Sequence, residues 1–281
     1  MSKTVGIIPA RWGSTRFPGK PLHPIARRPL LQHVWEQCRR AKKLDHVIIA
    51  TDDFRIAEAA FDWGAEVALT AAHHSSGTDR IAEVAAKAKQ FAHIVNIQGD
   101  EPMIDPKLID RLVSELQRDR RLEMITAAHP FTDLREAESP HQVKVVLNQK
   151  GEALYFSRAL IPASRSGGLQ TAVLRGRRLA NPRSLVLHLR HQGVYGYTRD
   201  LLLRFVRWKM SPLERAESLE QLRALENGVR IKVVMTESGS PGVDTPEDAR
   251  MMERLMISEG KRPFGRKRKE QRSIFLLLAE W

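Results

Sequence analysis

The feature that most constrains the fold is a regular alternation of short Val/Ile-rich runs with amphipathic stretches over the first hundred residues. The pattern predicts buried strands at residues 4–9, 46–51, 66–70 and 93–98. It predicts helices between them at 29–42, 54–63 and 78–91. Strands that are nearly continuous in branched apolar residues indicate a sheet covered on both faces. Their alternation with helices indicates parallel strands joined by right-handed crossovers.

The second half of the chain has a mixed pattern. Strands are predicted at 143–147, 193–197 and 230–235, and helices at 201–208, 213–227 and 246–257. The last helix begins at Pro246, directly after Thr245, which is a favourable N-cap residue. We therefore expect one domain over residues 1–259, with halves at about 1–130 and 131–259, and a poorly ordered basic tail at 260–281.

Composition excludes several classes of protein. With Cys38 as the single cysteine among 281 residues, an intrachain disulfide is impossible and a cysteine zinc site is disfavoured. No signal peptide and no apolar run of membrane-spanning length are visible, so we expect a cytoplasmic protein that does not insert into a membrane.

The net charge of +13 is concentrated in two segments. Residues 164–191 hold six arginines and no acid, and residues 261–281 hold seven Lys or Arg against two Glu. The remainder is nearly neutral, so the excess is local. A nucleic-acid-binding protein would be expected to place stacking aromatic residues among these cations, and the first segment has none. We therefore expect no nucleic-acid partner.

The loop after the first predicted strand combines two glycines, two hydroxyl residues and three cations between Arg11 and Lys20. Loops at the carboxyl edge of a parallel sheet are where such folds bind ligands. The spacing of Gly13 and Gly19, and a proline in place of the hydroxyl residue, do not match a P-loop. From composition alone, a phosphate-binding loop and an ordinary solvated basic loop remain equally open.

The loop's sequence, from IPAR to STRFPGKPL, resembles the signature loop of the sugar-acid cytidylyltransferases, in particular the branch acting on 3-deoxy-manno-octulosonate (Kdo). The similarity extends from about residue 5 to about residue 248. It implies a mostly parallel, Rossmann-like α/β nucleotidyltransferase sheet with helices on both faces and a smaller mixed acceptor and dimerisation lobe. It also implies that the loop wraps the CTP triphosphate, with Arg11 and Lys20 as catalytic, phosphate-binding cations.

Two further segments resemble the nucleotide site of that family. SSGTDR precedes a predicted helix, for which Thr78 is a plausible N-cap, and NIQGDEP follows a buried strand. The nucleotide-binding residues implied by the resemblance are Ala10, Arg11, Ser14, Lys20, Gly77, Thr78, Arg80 and Gln98. Carboxylates at the end of a strand suit a hard cation, and the resemblance makes Asp100 a magnesium ligand. The segment GVDTPED makes Asp244 the second ligand, so both aspartates are expected to be catalytic.

The acceptor half resembles the family in the segments FSRA, RHQGVYGY and LEQLR. An arginine can hold a carboxylate with two parallel hydrogen bonds, which suits a sugar acid. His191 and Tyr195 are an even number of residues apart and would share one face of a strand. The Kdo-binding residues implied by the resemblance are Arg158, His191, Tyr195, Glu220 and Gln221.

The implied reaction is the transfer of CMP from CTP to the anomeric hydroxyl of Kdo, with release of pyrophosphate, for lipopolysaccharide synthesis. Two Mg²⁺ ions are expected, one on the triphosphate and one held by Asp100 and Asp244. The expected partners are CTP, Kdo and a second copy of the chain in a homodimer. A related sugar acid, such as 8-amino-Kdo or sialate, remains an alternative acceptor, and a catalytically inactive relative is disfavoured by the presence of both aspartates.

Overall fold

The computed structural model describes residues 2–13, 16–163 and 188–258. The strands in these ranges are β1 (Lys3–Ala10), β2 (Pro24–Ile25), β3 (Arg28–Pro29), β4 (His46–Thr51), β5 (Glu66–Leu69), β6 (Phe91–Asn96), β7 (Met124–Pro130), β8 (Lys144–Leu147), β9 (Ala153–Ser157), β10 (Leu189–Thr198) and β11 (Ile231–Met235). The α-helices are α1 (Leu30–Cys38), α2 (Phe54–Asp62), α3 (Gly77–Lys87), α4 (Pro106–Arg118), α5 (Leu134–Glu138), α6 (Arg199–Phe205), α7 (Pro212–Glu217), α8 (Gln221–Glu226) and α9 (Pro246–Ser258).

Packing divides these elements into two units. The first unit comprises residues up to 114 together with the segment from 240, and the second comprises residues 115–239. The expected halves, 1–130 and 131–259, differ from this division because the segment that contains Asp244 and α9 packs with the first unit. The basic tail at 260–281 lies outside the described residues.

The first unit contains a parallel sheet in the order β6, β1, β4, β5. Its strands are formed by β-branched residues, and Val5, Ile7, Ile49 and Ile94 have no exposed surface. Because all four strands run the same way, the loops that follow β1 and β6 leave from one edge of the sheet. The alternation in the sequence therefore places the two predicted ligand loops side by side.

The second unit contains a mixed sheet. Strand β11 is parallel to β7, whereas β7 and β10, β10 and β8, and β8 and β9 are antiparallel pairs. Four parallel strands with helices in one unit and a mixed arrangement of five strands in the other confirm the predicted Rossmann-like α/β fold class.

Three local predictions differ from the structure. The helix predicted over 213–227 is wrong, because Ser218 adopts a left-handed conformation with φ 53° and separates α7 from α8. Thr78 is not the N-cap of α3, since the hydroxyl of Ser76 accepts a hydrogen bond from the Asp79 N–H. No element was predicted between 99 and 142, where the apolar stripe of α4 and the buried strand β7 lie.

Membrane-spanning helices are absent from the described ranges. None of the helices there is both long and apolar enough to span a bilayer.

Candidate active site

A cleft of about 270 Å³ opens at the carboxyl edge of the first unit's sheet. Its walls come from the loops after β1 and β6, the start of α3 and the segment before α9. The lining residues are Pro9, Ala10, Arg11, Arg16, Lys20, Pro21, His74, Ser75, Ser76, Gly77, Arg80, Gln98, Gly99, Asp100 and Asp244. Of the residues predicted for catalysis and nucleotide binding, eight line this cleft, Thr78 is buried next to Gly77, and Ser14 lies outside the described residues.

The loop after β1 is closed on itself by Trp12 and Gly19. The Gly19 N–H donates to the Trp12 carbonyl at 3.3 Å, and Gly19 has a φ of 70°. A Cβ at this position would lie 3.1 Å from the Trp12 ring, so only glycine combines this conformation with this contact. The guanidinium of Arg55 stacks on the Trp12 ring, 3.6 Å from its centroid. Trp12 therefore supports the loop.

Lys20 lies at the meeting point of the two predicted metal ligands. Its Nζ is 2.7 Å from Oδ2 of Asp100 and 3.2 Å from Oδ1 of Asp244. The guanidinium of Arg16 lies 3.4 Å from the same Asp244 oxygen. Two aspartates that are 144 positions apart in the sequence thus contact one ammonium group, which is the convergence that the predicted mechanism requires.

Backbone contacts hold these aspartates in place. The N–H of Val243 donates to the Asp100 carbonyl at 2.9 Å, which joins the two segments directly before Asp244. The Asp248 carboxylate accepts from the N–H groups of Asp244 and Thr245, and Thr245 caps α9 as predicted. Burial raises the pKa of Asp248, but these hydrogen bonds and the nearby Arg16 outweigh it and lower the pKa overall. The backbone of Asp244 is therefore fixed by the start of α9.

The donor set fits a magnesium ion. Asp100 and Asp244 offer hard carboxylate oxygens. Each of the two carboxylates already forms an ion pair with the Lys20 ammonium group. Within the described ranges, no cluster of three or more His, Cys, Asp or Glu side chains could hold a metal. Mg²⁺ is commonly bound by one or two carboxylates, with phosphate oxygens and water completing the shell. Two aspartates in a cleft of this kind meet that requirement.

The start of α3 forms another wall of the cleft. A Cβ on Gly77 would lie 3.2 Å from the Pro9 ring, and one on Gly99 would lie 3.0 Å from the Pro9 carbonyl. Both glycines therefore allow these segments to approach the end of β1 closely. Arg80 is only 4% exposed, and its guanidinium forms an ion pair with Asp52 at 2.9 Å. Its predicted contact with the nucleotide remains a prediction.

His74 lines the cleft and was missed by the sequence analysis. Its Nε2 lies 2.6 Å from the Glu83 carboxylate, which also accepts from the Ala71 N–H and from Lys87. Burial raises the pKa of Glu83, yet the hydrogen bonds from His74, Ala71 and Lys87 lower it to about 2. Glu83 is therefore ionised at neutral pH and fixes the orientation of the ring. The available signal was the position of His74 two residues before Ser76, combined with an acid on the following helix.

The predicted Kdo-binding residues lie in the second unit. The rings of His191 and Tyr195 have centroids 5.3 Å apart, so they share one face of β10 as predicted. The Nε2 of His191 is 3.0 Å from the Thr126 hydroxyl, and burial lowers the pKa of His191 to about 3. The hydroxyl of Tyr195 is buried close to the Thr126 side chain. The predicted contacts of His191 and Tyr195 with the sugar remain predictions.

The side chain of Arg158 already forms hydrogen bonds within the protein. Its guanidinium donates to the carbonyls of Glu217 at 2.7 Å, Pro140 at 3.1 Å and Ser218 at 3.4 Å. Its backbone N–H donates to the Glu217 carboxylate at 2.8 Å. Arg158 therefore secures the break between α7 and α8, directly before the predicted Kdo residues Glu220 and Gln221. A direct contact with the sugar carboxylate remains a prediction, as do the roles of those two residues.

Comparisons with known proteins agree with this site. A cytidylyltransferase family model matches residues 5–231. The chain is 49% identical over 253 residues to a 3-deoxy-manno-octulosonate cytidylyltransferase of Solibacter usitatus, covering 90% of this chain and 94% of that protein. It is 48% identical to the same-named protein of Syntrophotalea carbinolica, covering 86% and 94% respectively.

A solved structure of CMP:2-keto-3-deoxy-manno-octonic acid synthetase in complex with CTP is also similar. The TM-score is 0.83 at 38% sequence identity, and the match covers 92% of this chain and all of that one. The match therefore includes both the parallel sheet with its cleft and the mixed sheet of the second unit. The family model and these relatives, each spanning most of the chain, show that it belongs to the cytidylyltransferase family.

Proposed function

We propose that this chain transfers CMP from CTP to the anomeric hydroxyl of Kdo and releases pyrophosphate. The observation that carries the proposal is the convergence of Asp100 and Asp244 on Lys20 in a cleft at the carboxyl edge of a parallel sheet. The two substrates, CTP and Kdo, are inferred from the relatives, which are named for activity on Kdo or were solved with CTP. The same cleft and the same relatives support a nucleotidyltransferase more strongly than a nucleic-acid-binding protein.

The residues of the cleft suit a bound triphosphate. Arg11 is exposed and, within the described residues, forms no ion pair or hydrogen bond through its side chain, so its guanidinium is available for phosphate. Arg16 and Lys20 add positive charge on the same wall. Gly77 and Gly99, which also line the cleft, let the start of α3 and the loop after β6 pack closely against Pro9.

In the proposed reaction, the anomeric oxygen of Kdo forms a bond to the α-phosphorus and the bond to the pyrophosphate oxygen breaks. Arg11 and Lys20 stabilise negative charge on the phosphoryl oxygens as it develops. Asp100 and Asp244 would hold Mg²⁺, and a second ion would accompany the triphosphate. Bound Mg²⁺ neutralises phosphoryl charge and lowers the pKa of the attacking hydroxyl. For that reason no side chain is assigned as the general base.

A pyrophosphate-release assay tests the function directly. Purified protein with CTP, Mg²⁺ and Kdo is expected to release pyrophosphate, whereas omission of any one component should abolish the signal. Sialate and 8-amino-Kdo, each offered in place of Kdo, would identify a different acceptor by a faster rate. Absence of release with every sugar acid would refute the proposal.

The proposal also covers the oligomeric state and the cellular location of the protein. A homodimer is supported by apolar side chains that the second unit exposes, including Leu154 at 60% and Met210 at 55%. A molar mass of about 32 kDa by light scattering, the value for one chain, would contradict it. We also propose a cytoplasmic location, because the reaction requires CTP.

A further inference from the structure

The ammonium group of Lys20 lies where a metal ion would have to bind. It is held between the carboxylates of Asp100 and Asp244, at 2.7 Å and 3.2 Å. The Lys20 side chain is 15% exposed, whereas that of Asp244 is 52% exposed. The free protein therefore already has a cation of its own between its two predicted metal ligands.

This arrangement sets Lys20 and a divalent ion in competition. Mg²⁺ binds carboxylate oxygens at about 2.0–2.1 Å, so an ion bound to both aspartates would lie within a few ångströms of the ammonium group. Two positive charges that close repel each other strongly in a partly buried site. Binding of a divalent ion by both Asp100 and Asp244 is therefore disfavoured while Lys20 stays between them.

We propose that Lys20 substitutes for the divalent cation in the nucleotide-free enzyme and gives up the two carboxylates when CTP arrives. The idea rests on the proposed function, because the triphosphate is the group that would attract the ammonium away from them. Lys20 lines the same cleft as Arg11 and is tethered to the loop after β1, so it can turn towards phosphate without leaving the cleft.

Two consequences follow for the enzyme. The ammonium group offsets part of the negative charge of the two carboxylates, which allows them to stay close together before substrate binds. The metal enters with the nucleotide or after it, so the free enzyme has a low affinity for divalent ions. Arg16 lies 3.4 Å from Asp244 but is 65% exposed, so it is a weaker competitor than Lys20.

The test is the binding of Mn²⁺ alone, without nucleotide, measured by electron paramagnetic resonance or calorimetry on the full chain. Wild-type protein is expected to bind Mn²⁺ weakly, and Lys20→Gln to bind it at least tenfold more tightly. Adding Asp100→Asn to Lys20→Gln should remove the gain. Lys89→Gln, which removes an exposed lysine of the same unit, should behave as wild type.

Urea unfolding shows whether each variant is folded, and Lys20→Met provides a second neutral substitution. Equal or weaker Mn²⁺ binding by both folded Lys20 variants would overturn the proposal. This readout needs no turnover, so it is separate from the pyrophosphate assay. Failure of that assay with the wild-type chain would refute the function and leave the Mn²⁺ result to be judged on its own.

Discussion

The two units hold their predicted site residues in different states. In the first unit, the cations and carboxylates of the cleft face one another, and Arg11 has no internal partner among the described residues. In the second unit, Arg158 donates to three backbone carbonyls, and His191 is buried and uncharged at neutral pH. Motif residues on loops at a sheet edge are thus open to a ligand, whereas those on strands and helix ends also serve the fold.

The largest effect is expected from a substitution in the cleft of the first unit. Asp100→Asn should lower kcat by about 10²- to 10³-fold, because a carboxylate at the centre of the site is lost while the shape of the side chain is kept. Steady-state pyrophosphate release measures the effect, and circular dichroism checks the fold. Asp62→Asn, an exposed aspartate at the end of α2, is the matched control. Wild-type turnover in Asp100→Asn would remove Asp100 from the mechanism.

Arg158→Ala tests a residue of the second unit whose side chain is already hydrogen-bonded within the protein. Loss of hydrogen bonds from a charged group to three carbonyls should lower the free energy of unfolding by about 2–3 kcal/mol. The KM for Kdo should rise while the KM for CTP changes little. Urea unfolding and separate titrations of the two substrates measure these quantities. A variant with wild-type stability and a raised KM for Kdo would show instead that Arg158 acts directly on the sugar acid.

His74→Ala tests whether a cleft residue of the first unit that is already hydrogen-bonded also contributes to CTP binding. Loss of one hydrogen-bonding side chain that lines the cleft should raise the KM for CTP by about tenfold or less. The KM for Kdo should stay near its wild-type value. His73→Ala, at an exposed neighbouring position, is the control. If both histidine variants have the wild-type KM for CTP, His74 has no role in binding the nucleotide.

Glu83 gives this wall of the cleft a dependence on pH. Its folded pKa of about 2 is below its ordinary value of 4.5, so its stabilising contribution is present above pH 4.5. It should be lost as the pH falls from 4.5 towards 2. Glu83→Gln should therefore show a smaller decrease in unfolding free energy over that interval, measured by urea titration at each pH. An unchanged pH dependence would show that the contacts of Glu83 contribute little.

The smallest effect concerns the turn between β2 and β3. Ala26 and Arg27 have φ values of 46° and 67°, in a turn where Asn-Gly is the favoured pair. Arg27→Gly should stabilise the fold by about 1 kcal/mol, because the left-handed conformation is costly for a residue with a Cβ. Thermal unfolding measures the change. A lower melting temperature would show that the Arg27 side chain contributes more than its strain costs.

Some features followed from local sequence. The period of the apolar residues predicted the strands of the parallel sheet, and β4 has the predicted bounds. The break at Ser218 did not follow, because residues 213–227 have a helical composition and the left-handed residue accepts a hydrogen bond from Arg158, which is distant in the sequence. The N-cap of α3 was assigned to Thr78 instead of Ser76 because both are hydroxyl residues close together in the sequence.

By itself, the sequence determined the parallel sheet, the position of its ligand loops and the types of charged group that they bring, because apolar period and turn residues are local properties. Only the tertiary structure decided which of those groups meet. Asp100 and Asp244 share Lys20 because β6 and the segment before α9 end at one edge of the first unit. Whether a motif arginine is free or already bonded depends in the same way on contacts between distant segments, which no local pattern encodes.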